Sequence, residues 1–101
     1  MDTNYLTSLF DISGKVAVVT GGGGVLCSAI CLSLAKCGAK VAVLDLFVDA
    51  AQKVVDQIEA EGGQAIAVKC DVLDKQSIEN AAQVVVNAYK RVDILINGAG
   101  G

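Results

Sequence analysis

The sequence has no histidine, no proline and no tryptophan, and its aromatic residues are two tyrosines and two phenylalanines in 101 residues. Without histidine, the zinc sets that mix imidazole and thiolate cannot form. The four cysteines, Cys27, Cys31, Cys37 and Cys70, include no Cys-x-x-Cys pair, so neither a metal knuckle nor a disulfide framework is expected. Cys27 and Cys31 lie one helical turn apart and are expected to act as small buried hydrophobes in a reducing compartment. The lack of proline fits a chain made mostly of regular elements.

Positive charge is also sparse. Eight Lys and Arg are scattered singly against eleven Asp and Glu, for a net charge of −3. No basic stripe could track a phosphate backbone, which argues against nucleic acid as a partner. No apolar run approaches the roughly 20 residues that cross a bilayer. The opening Met1-Asp2-Thr3-Asn4 carries an acid and no basic n-region, so no membrane association and a cytoplasmic location are expected. What the chain does have is apolar residues, 53% of the total. A chain of this length can bury roughly two-thirds of its unfolded surface, enough for one compact domain.

The apolar residues fall into an alternating order. Residues 15–20 are a β-branched run ending in four glycines, which predicts a buried strand and a turn. From Val25, the residues Leu26, Ile30, Leu34 and Cys37 recur at three- or four-residue steps up to Gly38, predicting a helix with that face inward and a glycine stop. Residues 41–44 form a second strand, closed by Asp45. Asp49 is expected to cap a helix reaching about Glu61, with Gln52 placed for the reciprocal bond and Gly62-Gly63 ending it. Residues 65–70 are a third strand. Asp74 is expected to cap a longer helix with Ile78, Ala82, Val85 and Tyr89 on one face, and residues 93–97 a fourth strand. Four strands alternating with three helices predict an α/β fold with a doubly wound parallel sheet, built by right-handed crossovers.

The segment Thr20-Gly21-Gly22-Gly23-Gly24-Val25-Leu26 stands between a strand and a helix, where backbone N–H groups are left free to meet a pyrophosphate. Taken alone, it is weak evidence, and a plain flexible turn is the commoner reading of such a run. Asp45 adds to it. A carboxylate at the end of the second strand, about 20 residues beyond the glycines, is placed to accept both hydroxyls of an adenosine ribose. It would also repel a 2′-phosphate, so NAD is expected in preference to NADP. The competing reading of Asp45 is a solvated acid at a strand end.

These residues give the chain its likeness to a known family. Residues 10–21, Phe-Asp-Ile-Ser-Gly-Lys-Val-Ala-Val-Val-Thr-Gly, are followed in order by Asp45, by Cys70-Asp71-Val72 and by Asn97-Gly98-Ala99-Gly100. On these motifs the chain resembles, over essentially its whole length, the N-terminal cofactor-binding half of the short-chain dehydrogenases/reductases. The resemblance implies a Rossmann-type sheet of strand order 3-2-1-4. It also implies a dinucleotide site formed by Gly21, Gly23, Gly24, Val25, Leu26, Asp45, Leu46, Asp71, Val72, Asn97, Gly98 and Ala99. Within it Gly21 would open the pyrophosphate turn and the backbone around Leu26 would donate to phosphate. Asp71 and Val72 would flank the adenine, and Asn97 would brace the sheet while Gly98 and Ala99 pass near the cofactor. For Val72 and Asn97, roles as plain core and strand-end residues stay open.

Two departures stand out. The family pattern Thr-Gly-x-x-x-Gly-x-Gly, read without a gap, puts Val25 and Cys27 where the second and third glycines belong. Gly24 is available to replace the second, but Cys27 is expected to disturb close packing and weaken the cofactor site. Gly98 in turn replaces the more usual second asparagine of the fourth-strand motif. The glycine run and the Asn-Gly-Ala-Gly-Gly ending are similar to those of family members acting on sugar acids of the mannonate or fructuronate type.

The family's Tyr-x-x-x-Lys pair is not matched, since Leu9 follows Tyr5 and Asp93 follows Tyr89 at that spacing. No catalytic residue is assigned. The chain is therefore expected to be a partial domain, the nucleotide-binding part of a longer oxidoreductase acting on a secondary alcohol or ketone. The alternatives are a non-catalytic nucleotide-binding module and an interaction domain with a lapsed site. The fourth strand, as a sheet edge, is expected to allow self-association, and the resemblance implies a homo-oligomer for the longer protein.

Overall fold

The computed structural model describes residues 12–98. Phe10 and Asp11 of the opening motif, together with Ala99 and the two glycines after it, lie outside the described residues. The elements run β1 (Val16–Thr20), α1 (Val25–Lys36), β2 (Lys40–Asp45), α2 (Val48–Ala60), β3 (Gln64–Lys69), α3 (Lys75–Tyr89) and β4 (Ile94–Asn97). All three strand pairings are parallel and the sheet order is β3-β2-β1-β4. This is the expected Rossmann-type order, with strand bounds within one residue of those read from the sequence.

The fold follows from side-chain alternation. In β1, Val16 and Val18 point to one face and Val19 to the other. The first face joins Ala42, Leu44 and Val68 to Ala81 and Val85 of α3. The opposite face packs Val41, Val43 and Val19 against Cys31 of α1 and Ala51, Val54, Val55 and Ile58 of α2. The chain moves outward from β1 to β2 to β3, then reverses past β1 to reach β4. Right-handed crossovers therefore put α1 and α2 on one face and α3 on the other. The reversal leaves a crevice at the C-terminal ends of β1 and β4, where ligands bind in open α/β sheets.

Three helix details differ from expectation. In α1 the buried residue is Cys31, with Cys27, Leu34 and Ala35 packed against that core, while Leu26 is exposed. Most positions of this helix are apolar, so spacing alone did not choose its inward face. In α2 the residue preceding the helix is Phe47, which provides no side-chain cap, and Asp49 lies in the first turn. Asp45 Oδ1 accepts the Phe47 N–H at 2.9 Å, fixing the chain so that the helix starts at Val48. Gln52 accordingly bonds Asp56 instead of reaching back. Asp74 does cap α3, accepting the Gln76 N–H at 3.0 Å. The buried line of α3, however, is Ala81 and Val85, with Tyr89 half-buried and Ile78 and Ala82 exposed. Ile78 and Ala82 line an open apolar cavity of about 660 Å³ between α3 and the β1–β4 side of the sheet.

The start of β4 is tied down by Asp93. Its N–H donates to Val16 O at 2.9 Å and its Oδ2 accepts the Val16 N–H at 2.8 Å. Arg91 grips the other carboxylate oxygen through Nη2 at 2.6 Å. The Arg91 hydrogen bond, reinforced by the Val16 N–H, holds the Asp93 carboxyl below its ordinary value. Such a group stabilises the fold fully above the unfolded carboxyl range, near pH 4, and loses that effect as pH falls through its lower folded value. Asp93→Ala should therefore lower the thermal midpoint at neutral pH. The gap from wild type should narrow in acid at about pH 2, and a gap that stays constant across the melting series would remove this role for Asp93.

Candidate functional site

The glycine turn is shaped by how closely it approaches the sheet. Gly21 has φ +67°, a left-handed conformation that glycine adopts without steric cost. Gly22 is buried, and a Cβ there would stand 2.7 Å from Val43 Cγ1 and 3.1 Å from Val19 O. A Cβ on Gly23 would meet Ala50 Cβ at 2.8 Å and Asp45 Oδ2 at 2.9 Å. Gly24 is different: the nearest atom to its Cβ would be Gly21 O at 3.4 Å. Gly22 and Gly23 thus let the turn lie flat on β2 and α2, while Gly24 leaves an open face.

The backbone donors divide in the same way. Gly22 N–H donates to Leu44 O at 3.0 Å, and Gly24 N–H to Gly21 O at 3.1 Å. Gly23 N–H donates to Asp45 Oδ2 at 2.9 Å. The N–H groups of Val25, Leu26 and Cys27, in the first turn of α1, have no partner among the described residues. Their partial positive charge adds to that of the helix N-terminus. A diphosphate placed there would meet free donors without displacing any bond that forms the turn.

Asp45, at the end of β2, accepts the N–H groups of Gly23 and Phe47, one on each carboxylate oxygen. Each oxygen keeps further acceptor capacity. Leu46 follows it, half exposed. The end of β3 is joined to this region by the Cys70 N–H, which donates to Asp45 O at 3.0 Å. Asp71 N–H donates to Ser77 Oγ at 2.9 Å, and Asp71 Oδ1 accepts the Leu73 N–H at 3.0 Å. Val72 packs against the α3-side core, and both Val72 and Asn97 line the apolar cavity. At the end of β4, Thr20 Oγ1 donates to Asn97 Oδ1 at 2.8 Å and accepts the Gly98 N–H at 3.1 Å. The turn and Asp45 are therefore in direct contact. Asn97 and Gly98 join them through Thr20, and Asp71 and Val72 form a separate rim at β3.

Burial pushes the Cys31 thiol up to about 12, with the neighbouring Cys27 adding to the effect, and burial also raises Cys70. Both are neutral thiols that serve as core. Among the described residues, no cluster of three His, Cys, Asp or Glu could hold a metal ion, and no helix is long and apolar enough to cross a membrane.

Against known families, the short chain dehydrogenase model matches residues 15–101. The chain belongs to the short-chain dehydrogenase family. It is 50% identical over 91 residues to the uncharacterized oxidoreductase UxuB of Bacillus subtilis, covering 90% of this chain and 33% of that protein. Among solved structures, it superposes with TM-score 0.89 and 40% identity on a candidate D-mannonate oxidoreductase from Haemophilus influenza with bound NAD, covering 95% of this chain and 34% of the other. A metagenomic short-chain oxidoreductase in complex with NADP superposes at TM-score 0.85 and 36% identity, covering 90% and 41%. The chain spans about a third of the length of the first curated relatives it matches.

Three contributors to the geometry of this candidate site were missed by sequence reasoning. Gly22 was passed over within the glycine run, although it makes the closest approach to β2. The Thr20 hydroxyl and Ser77 both act across long chain separations, where spacing gives no signal. For Gly22 the geometry predicts a clear contrast. Gly22→Ala should cost about 2–3 kcal/mol by overpacking against Val43 and the Val19 carbonyl. Gly24→Ala should cost under about 1 kcal/mol, the usual loss at an N-cap. Denaturant unfolding of the two variants measures this directly, and equal losses would mean that the turn is not held by its contact with β2.

Proposed function

We propose that this chain is the dinucleotide-binding portion of an NAD-dependent oxidoreductase that interconverts a secondary alcohol and a ketone. The observation that carries the reading is the Asp45 carboxylate, held at the end of β2 against the glycine turn that precedes the free donors of α1. The residues fit the group: Gly24 leaves an open face, three N–H donors have no partner among the described residues, and the Asp45 carboxylate stands against the same turn. Val25, Leu26 and Cys27 would hold the pyrophosphate and Asp45 the adenosine ribose, with Leu46, Asp71 and Val72 beside the adenine. Gly21 and Gly23 shape the turn. Asn97 and Gly98 would lie toward the nicotinamide end; Ala99, given the same role by resemblance, is outside the described residues.

When bound, the cofactor supplies hydride transfer. This chain's own residues bind and orient it, and the proton-transferring groups belong to the rest of the longer protein. A sugar acid is the proposed substrate class, supported by the glycine-run likeness and by the D-mannonate name of a similar structure. The free cysteines fit a reducing, cytoplasmic setting.

NAD is favoured over NADP because a fixed carboxylate beside the ribose repels a 2′-phosphate. Calorimetric titration of the chain with each nucleotide tests this, with affinity expected as weak as about 1 mM. NAD should bind at least about tenfold tighter than NADP, a gap of about 1.4 kcal/mol. Asp45→Ala should shrink that ratio even though it also loosens the turn and weakens both. Equal binding of the two nucleotides by the wild-type chain would overturn the NAD assignment.

We also propose that β4 mediates self-association. Its outer backbone edge has no strand beside it among the described residues, and Leu95 on its α3-side face is 67% exposed. Edges of this kind pair with further copies. The resemblance extends the expectation to the longer protein, as a homo-oligomer. Sedimentation of the chain over a concentration series should show a dimer that Leu95→Lys suppresses; a monomer throughout would end the proposal.

A further inference from the structure

The two departures from the family's glycine and asparagine pattern, Cys27 in α1 and Gly98 after β4, meet in space. A Cβ on Gly98 would overlap the Cys27 sulfur, while the Cys27 Cβ would stand at an ordinary 3.7 Å. Neither partner can retreat easily. The Gly98 N–H is held by both Thr20 O and Thr20 Oγ1, each at 3.1 Å. Cys27 is in the first turn of α1, which the Ser28 N–H closes onto Gly24 O at 2.8 Å. Its side chain packs into the same core as Cys31 and Ile96.

In dinucleotide-binding folds a glycine in the first helical turn lets helix and sheet approach closely. Here that position carries a thiol, and the missing volume is found across the contact, at the end of β4. We propose that Cys27 and Gly98 are a compensating pair of positioning residues. Together they set how closely α1 approaches the ends of β1 and β4, and so where the Val25, Leu26 and Cys27 N–H donors stand. On this view Cys27 does not damage the site, because its sulfur fills a space that Gly98 leaves. The pair rests on the dinucleotide reading for its effect on affinity, but its packing can be measured without any nucleotide.

The test is a double-mutant cycle read by thermal midpoint and by NAD titration. Gly98→Ala should lower the midpoint and weaken NAD at least about tenfold, and Cys27→Ala supplies the remaining corner of the cycle. Adding Cys27→Ala to Gly98→Ala removes the overlapping sulfur and should recover most of both losses, less a remainder because the new Cβ would still stand 2.9 Å from Thr20 O. If Gly98→Ala does not fold, a folded, NAD-binding double variant supports the pair just as strongly. A double variant as impaired as Gly98→Ala, or as unfolded, overturns it and assigns the glycine requirement to the Thr20 carbonyl. A wild-type chain that binds no nucleotide defeats the functional proposal instead, and the pair then stands or falls on the midpoints.

Discussion

The constraint on which the site depends is the contact between the glycine turn and strand β2. Gly22 lies where a single Cβ would strike Val43 and the Val19 carbonyl, so the chain leaves β1 pressed against its neighbour. That closeness brings the Gly22 N–H to Leu44 O and the Gly23 N–H to Asp45. Once those donors are bound internally, α1 begins at the end of β1 with its first three N–H groups unpartnered among the described residues. Moving the turn outward by the width of a methyl group would change the acceptors of two donors and the direction of the helix together.

The fold was readable because its signals are local and repeated. Each strand is a short β-branched run ended by a turn residue, and crossover handedness then places the helices with little freedom left. The site was partly readable for a similar reason. Gly21 and Asp45 stand at strand ends, where chain position and spatial position coincide. What could not be read depends on contacts between distant segments. The start of α2 was misplaced because Asp45, in the preceding strand, takes the Phe47 N–H and makes a cap at Asp49 unnecessary. The inward face of α1 was misjudged because nearly every position offered an apolar residue, leaving the choice to the sheet beneath. Cys27 stands in the sequence as an isolated departure, and only the structure sets Gly98 against it, where a Cβ would overlap the Cys27 sulfur.

The reversal of the chain between β3 and β4 also sets an apolar cavity beside the glycine turn. Ile78, Ala82, Val85 and Val86 of α3 line it together with Val18 and Leu95 of the sheet. Its walls hold almost no groups that could meet a phosphate, whereas the glycine turn has donors but little apolar wall. The two regions adjoin along the strand ends, where Thr20, Val72 and Asn97 belong to the rim of the cavity. A flat base and a charged diphosphate need different surroundings, and on the proposed reading the hydrocarbon beside Val72 would serve the one and the N–H donors at α1 the other.

Asp45 connects these requirements. Its carboxylate holds the turn through Gly23, sets the start of α2 through Phe47, and presents negative charge where a ribose would lie. On the proposed reading, cofactor choice and turn geometry are therefore not independent variables in this chain. On that reading, replacing the acid to admit a 2′-phosphate would also leave the part-buried Gly23 N–H without its acceptor. An unpaired donor in such a place costs on the order of 1–3 kcal/mol. A natural route to NADP binding would need two coordinated changes: a cation to receive the phosphate, and a new acceptor for Gly23.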